Sequence, residues 1–137
     1  MNTNTSPAAP SYAGEVTPQA TYQALNNRAA VLVDVRTPEE WVAVGLPDVS
    51  GTPSRLVTLS WKVNPGYVLN PNFGEQFAAA GIDKDTPIYF MCKGGGRSLE
   101  AAVALTAAGY AECYNVTGGY ESAAGWKAAG LPCKVGA

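Results

Sequence analysis

The chain has 137 residues, 47% of them hydrophobic, with Lys+Arg 9 against Asp+Glu 11 and no histidine. That length and apolar content bury one core without disulfides or metal, and a net charge of −2 gives no basic footprint for nucleic acid. The missing histidine excludes imidazole acid–base catalysis and the Cys-His dyad of cysteine proteases, so any thiolate here is made by electrostatics alone.

Residues 1–11 are rich in Asn, Thr, Pro and Ala and are expected to form a flexible tail ahead of a single domain over 12–137. Met1–Pro10 carries neither a basic start nor an apolar centre, so no signal peptide is expected. No apolar run reaches the roughly 20 residues of a membrane span. The expected location is a reducing cytoplasm, which suits a working thiol.

Glu15-Val16 fits a short edge strand. Thr17 as N-cap with Pro18 at the first helical position then starts a helix to about Asn26, expected to bury Ala20, Tyr22 or Ala24, and Leu25. Ala30 to Arg36 is a continuous apolar run ending in charge, as in a strand buried on both faces. Thr37, Pro38, Glu39 and Glu40 repeat the helix-start pattern, with acidic side chains in the first turn. Leu56–Ser60 reads as a third buried strand. Trp61–Asn72, with two prolines and three asparagines, reads as a long loop walling a site, with Trp61 in the core and Tyr67 toward the entrance. A helix over 73–80 ends at Gly81.

Thr86–Met91 is a β-favouring apolar run that stops at Cys92. Lys93, Gly94, Gly95, Gly96, Arg97 and Ser98 follow and open an Ala/Leu-rich helix to about Ala108. Three consecutive glycines let the loop turn backbone N–H groups inward into an anion-binding nest, and the helix start adds its positive end. Lys93 and Arg97 add nearby cations, so a thiolate at Cys92 is favoured and Cys92 is the candidate nucleophile. A cysteine ending a strand is usually a small buried hydrophobe and a glycine run usually a turn. Their combination with Arg-Ser at a helix start is not a packing requirement. Glu112–Val116 is the last strand, with Cys113 in the core. Cys92, Cys113 and Cys133 have no CxxC spacing and leave one cysteine over in any pairing, so neither a zinc site nor a disulfide framework is expected. Cys133 reads as a passive residue of the final loop, or alternatively as a resolving thiol.

Strands alternating with helices imply a parallel sheet covered on both faces, with the ligand crevice at the strands' C-terminal ends. Asp34 and Arg36 stand at one such end and Cys92 at another, so the pair is expected to support the loop, whether by satisfying its backbone or by touching substrate.

The segment Cys92-Lys93-Gly94-Gly95-Gly96-Arg97-Ser98 resembles the active-site loop of rhodanese-like sulfurtransferases. Asp34-Val35-Arg36 with Pro38-Glu39-Glu40-Trp41, the turn at Gly45–Gly51, and Gly118-Gly119 … Trp126-Lys127 … Gly130-Leu131-Pro132 resemble further signatures of that family, and the likeness covers about residues 14–134. It implies a three-layer α/β/α fold with a mainly parallel sheet of about five strands, closed by a last helix beyond Gly119. It implies sulfur transfer through a Cys92 persulfide, from a small anion such as thiosulfate to cyanide or a thiol. A protein donor or acceptor is compatible, and no metal, cofactor, nucleic acid or membrane is called for. Lys93, Gly94, Gly95, Gly96, Arg97 and Ser98 would bind substrate.

Two other readings use the same residues. Cys-dependent phosphatases and arsenate reductases hold five residues between Cys and Arg; here there are four, Lys93 to Gly96, a ring that suits a sulfur atom better than a tetrahedral oxyanion. Non-catalytic interaction modules of the family usually lack the cysteine that this chain keeps.

Overall fold

The computed structural model describes residues 11–136; the flexible-tail expectation for the N-terminus falls almost entirely outside them. The elements in chain order are β1 (Gly14–Val16), α1 (Pro18–Asn27), β2 (Val31–Asp34), α2 (Pro38–Val44), β3 (Leu46–Pro47), β4 (Arg55–Thr58), β5 (Lys62–Val63), β6 (Val68–Leu69), α3 (Phe73–Ala79), β7 (Pro87–Met91), α4 (Gly96–Ala107), β8 (Glu112–Val116) and β9 (Cys133–Lys134). Five of the strands form one sheet in the order β1-β8-β7-β2-β4, with every neighbouring pair parallel.

Side-chain alternation along the buried strands divides the core in two. Val31 and Val33 of β2 with Ile88 and Phe90 of β7 face α3 and α4, meeting Phe77, Ala101 and Leu105. Leu32, Tyr89 and Met91 face the other way, onto Leu25 of α1 and onto Tyr120 and Trp126 from the C-terminal segment. The result is the expected three-layer α/β/α arrangement. Alanines at 101 and 102, both fully buried, let α4 lie close on β7 and β8.

The helix starts follow their sequence signals. Thr17 Oγ1 accepts from the Ala20 N–H, and Thr37 and Glu40 form a reciprocal capping box. On α1 the buried positions are Pro18, Thr21 and Leu25. Leu25 is as expected, but Ala20 is exposed and Tyr22 and Ala24 are only half-buried, because the helix is turned so that Thr21 faces the sheet.

Three further expectations are corrected. The strand at 56–60 is β4, which is half-buried rather than buried, because it is the sheet's edge and has a strand on one side only. The stretch 61–72 is no simple loop: β5 and β6 pair antiparallel into a small hairpin, whose turn puts Gly66 and Tyr67 at positive φ. Beyond Gly119, a run of turns replaces the last helix through Gly130. Trp126 anchors that run, with its indole Nε1–H donating to the Pro132 carbonyl at 2.7 Å and its ring meeting Tyr22 edge-on at 5.6 Å.

Candidate active site

Parallel register puts the candidate residues together. Asp34, the last residue of β2, is opposite Met91, the last residue of β7, so both strands deliver their next residues to the same edge of the sheet. Cys92 follows Met91 directly and is buried, while Lys93, Gly94 and Gly96 are exposed. Gly95 has φ +119 and is the N-cap of α4, a conformation that a residue with a Cβ would resist. That turn aims the Gly95 N–H at Cys92 Sγ, 3.0 Å away. The N–H groups of the first turn of α4 have no intrahelical acceptors and point to the same side.

A second contact to the sulfur comes from inside the fold. Ser98 Oγ lies 3.2 Å from Cys92 Sγ and 2.6 Å from Asn115 Oδ1. Asn115, itself buried, donates through Nδ2 to the Glu15 carboxylate at 3.0 Å and to the Gly95 carbonyl at 3.2 Å, which fixes its carbonyl oxygen toward Ser98. The Ser98 hydroxyl has one proton and two acceptors. With Cys92 as thiol, S–H donates to Ser98 and Ser98 to Asn115; with Cys92 as thiolate, the Ser98 proton is available to the sulfur.

The C-terminal turn segment clamps the loop from the opposite side. The Tyr120 N–H donates to the Cys92 carbonyl at 2.8 Å and the Glu121 N–H to the Lys93 carbonyl at 3.0 Å. Gly119, at φ +57, comes so close that a Cβ there would stand 2.6 Å from the Lys93 carbonyl carbon. The Gly-Gly pair is thus required by a close backbone approach, not by flexibility.

Asp34 and Arg36 are both fully buried and pair side chain to side chain, with Arg36 Nη2 2.7 Å from Asp34 Oδ2. Arg36 also donates to Glu121 at 3.0 Å and to the Gly45 carbonyl at 2.8 Å, and its guanidinium lies 4.2 Å from the centre of the Tyr120 ring. The pair thereby ties β2, the turn after α2 and the clamp segment into one unit beneath the loop.

Arg97, expected to bind substrate, has its guanidinium already engaged by a carboxylate. It makes a two-pronged pair with Glu40 at 2.8 and 2.9 Å, and its guanidinium lies 5.5 Å from the Tyr67 ring. Burial alone would raise the Glu40 acid, but the hydrogen bonds from Arg97 and Thr37 outweigh it and hold the carboxyl at about 2. Burial likewise works against the Arg97 cation, and Glu40 outweighs it. Lys93 is exposed and stands outside the ion pairs found among the described residues.

Cys92, Lys93, Gly94, Gly96, Arg97, Glu121 and Ser122 line an open cavity of about 430 Å³. Among the described residues no cluster of three or more Cys, Asp or Glu side chains is arranged to hold a metal ion. The arrangement suits a sulfur nucleophile attacking a small ligand held by backbone N–H groups. Sequence reasoning missed Glu121, Ser122 and Asn115, and credited Glu40 only with its helix-start role. The spacing Thr37-x-x-Glu40 signals the capping box, but nothing in it points to Arg97, 57 positions on.

Residues 13–136 match the family described as the STR4 middle domain. The solved structure of Rv0390 from M. tuberculosis superposes with a TM-score of 0.83 at 37% identity, covering 91% of this chain and 99% of that one. The polysulfide-sulfur transferase homodimer of Wolinella succinogenes superposes with a TM-score of 0.68 at 28% identity over 88% of this chain and 77% of that one. Among curated relatives, the uncharacterized protein RP600 of Rickettsia prowazekii is 41% identical over 112 residues, 79% of this chain and 85% of the relative. The thiosulfate sulfurtransferase GlpE of Actinobacillus succinogenes is 30% identical over 121 residues, covering 88% and 90%. With a family match over residues 13–136, 30% identity to a thiosulfate sulfurtransferase over 88% of the chain and a shared fold, this chain belongs to the rhodanese-like family.

Proposed function

We propose that the protein is a sulfurtransferase that carries a sulfane sulfur on Cys92. The observation that carries this reading is the setting of Cys92 Sγ, which sits between the Gly95 N–H at 3.0 Å and Ser98 Oγ at 3.2 Å on the floor of the cavity. The likeness to the thiosulfate sulfurtransferase GlpE and to the polysulfide-sulfur transferase of W. succinogenes supports it.

In the first half-reaction the Cys92 thiolate attacks the outer sulfur of thiosulfate. A new S–S bond forms, the S–S bond of the donor breaks, and sulfite leaves with the electron pair. The charge moves to the terminal sulfur of the persulfide, where the first N–H groups of α4 and the Gly95 turn are donors. In the second half-reaction cyanide or a thiolate attacks that terminal sulfur and the Cys92 thiolate is released. Arg97 and Arg36 act as positioning residues: Arg97 fixes the start of α4 through Glu40, and Arg36 fixes the clamp segment through Glu121. Lys93 is the exposed cation at the mouth that draws in an anionic donor, and a protein persulfide is a donor or acceptor of the same chemistry.

The test is intact mass of wild type and Cys92→Ser before thiosulfate, after it, and again after cyanide. The expected result is a gain of one sulfur atom on wild type alone, removed by cyanide with thiocyanate released. No gain from thiosulfate or polysulfide, together with Cys92-dependent phosphatase or arsenate turnover, would overturn the proposal.

A further inference from the structure

On the far side of Tyr120 from the Cys92 loop lies a second thiol. β9 pairs antiparallel with β3, placing Cys133 opposite Pro47 and Lys134 opposite Leu46. Cys133 is exposed. With Val44, Gly45, Tyr120, Lys127 and Lys134 it lines an open cavity of about 400 Å³, separate in its lining residues from the one at Cys92.

The residue behind this thiol is unusual. Tyr120 is fully buried, yet its hydroxyl has no hydrogen-bond partner. Buried hydroxyls are ordinarily paired. Burial, and after it the neighbouring Cys133 sulfur, push its ionisation well above the ordinary tyrosine value, so the group stays a proton donor throughout the neutral range. Gly45 keeps the space beside it open: a Cβ there would lie 3.2 Å from the hydroxyl and 3.0 Å from the Lys134 carbonyl. Two lysines, Lys127 and Lys134, are among the residues that line the cavity. The Lys127 Nζ donates to the Val44 carbonyl at 3.1 Å, which holds it at the rim, and Lys134 adjoins Cys133 in the chain.

We propose that Cys133 is a second reactive thiol, one that forms a mixed disulfide with a low-molecular-weight disulfide bearing carboxylates. The Cys133 thiolate attacks one sulfur of R–S–S–R, the protein–S–S–R bond forms as the R–S–S–R bond breaks, and RS⁻ leaves with the electron pair and takes up a proton from solvent. The orphan Tyr120 hydroxyl donates to the attacking sulfur, and Lys127 and Lys134 face the carboxylates of R. Exposure alone would make Cys133 accessible. What marks a built site is a buried donor without an acceptor beside an exposed thiol.

The test uses the full chain carrying Cys92→Ser, so that its outcome is independent of sulfur transfer. The protein is treated with glutathione disulfide and, separately, with the uncharged 2-hydroxyethyl disulfide, and the adduct is followed by intact mass and peptide mapping. One adduct is expected, on Cys133. Adding Lys134→Gln should slow the glutathione disulfide reaction several-fold and leave the uncharged reagent unchanged. Adding Tyr120→Phe, which keeps the ring under Arg36, should slow both reagents. Equal rate ratios for the two reagents with and without Lys134, or an unaltered rate in Tyr120→Phe, would reduce Cys133 to an ordinary surface thiol and overturn the proposal. Because the Lys134 arm compares two reagents on one folded protein, it stands even if Tyr120→Phe is unstable.

Discussion

Replacing Gly119 by alanine is the sharpest probe of the clamp over the Cys92 loop. At φ +57 an added Cβ would meet the Cys92 carbonyl oxygen and the Lys93 carbonyl carbon and oxygen, the latter two at 2.6 Å. All are backbone atoms, so no side chain can swing away. Two costs add: roughly 1–2 kcal/mol for an L residue in the left-handed region, and about 1–3 kcal/mol for forced backbone displacement. Gly130 supplies the control, since it has φ +75 but nothing within 4 Å of an added Cβ. Gly130→Ala should carry only the first cost, and the entropy gained by restricting the unfolded chain is common to both variants. In urea unfolding with unchanged slope, Gly119→Ala should therefore be less stable than Gly130→Ala by about 1–3 kcal/mol. It should also load sulfur more slowly, because Tyr120 N–H and Glu121 N–H hold the loop from that strip of chain. Equal losses in the two variants would mean that the loop yields freely, and the rigid-clamp argument would fail.

Glu40 gives a pH signature. Its acid is held at about 2 against an ordinary value of 4.5, so its contribution to stability is complete above about 4.5 and is lost as pH falls toward 2. In Glu40→Gln that part of the acid limb should be missing, read as a urea midpoint that falls less between pH 5 and pH 2.5 than in wild type. An identical acid limb would place the Arg97 charge elsewhere in solution. Arg36→Met leaves Asp34 as an unpaired buried carboxylate and should cost about 3–5 kcal/mol, measured by thermal or urea unfolding; a loss below about 1 kcal/mol would contradict the buried pair. Ser98→Ala removes the hydroxyl beside the sulfur and should slow persulfide formation about 5- to 10-fold, the worth of one hydrogen bond, in a single-turnover mass assay. An unchanged rate would limit Ser98 to bonding Asn115.

Much of this architecture was legible in local signals. Thr17-Pro18 and Thr37-Pro38 are helix starts whose chemistry is complete within four residues, and both helices begin there. The apolar runs 30–35 and 86–91 read as buried strands, and a central strand lies in each. What local signals cannot carry is neighbourhood. Leu56–Leu59 looks as apolar as the central strands, but its burial depends on whether another strand joins its outer side, and none does. The 61–72 hairpin was hidden by prolines and asparagines, which mark turns equally well in loops and in short ribbons. At the site, the loop residues were readable because they are contiguous. Glu40, Asn115 and Glu121 reach it from three other segments, and only the fold supplies those distances.

That division bears on how the loop handles negative charge. Read as a string, Lys93 and Arg97 look like the groups that neutralise a thiolate or a leaving sulfite. In the fold Arg97 is already paired with Glu40, and the fully buried Arg36 with Asp34 and Glu121, so Arg97 lines the cavity with its charge largely offset and Arg36 stays outside the lining. The electrostatic work at the sulfur then falls to groups without formal charge: the Gly95 N–H, the Ser98 hydroxyl and the unbonded first-turn N–H groups of α4. In the proposed sulfur transfer, such donors lose no reorganisation energy as charge moves from Cys92 Sγ to the terminal persulfide sulfur, because helix and turn geometry hold them fixed. A mobile lysine or an unpaired arginine would follow the charge and pay for it in ordering. Under that proposal the paired arginines keep the donors still, and the rigidity of the Glu40–Arg97 and Arg36–Glu121 ties, more than their charge, is what the loop would use.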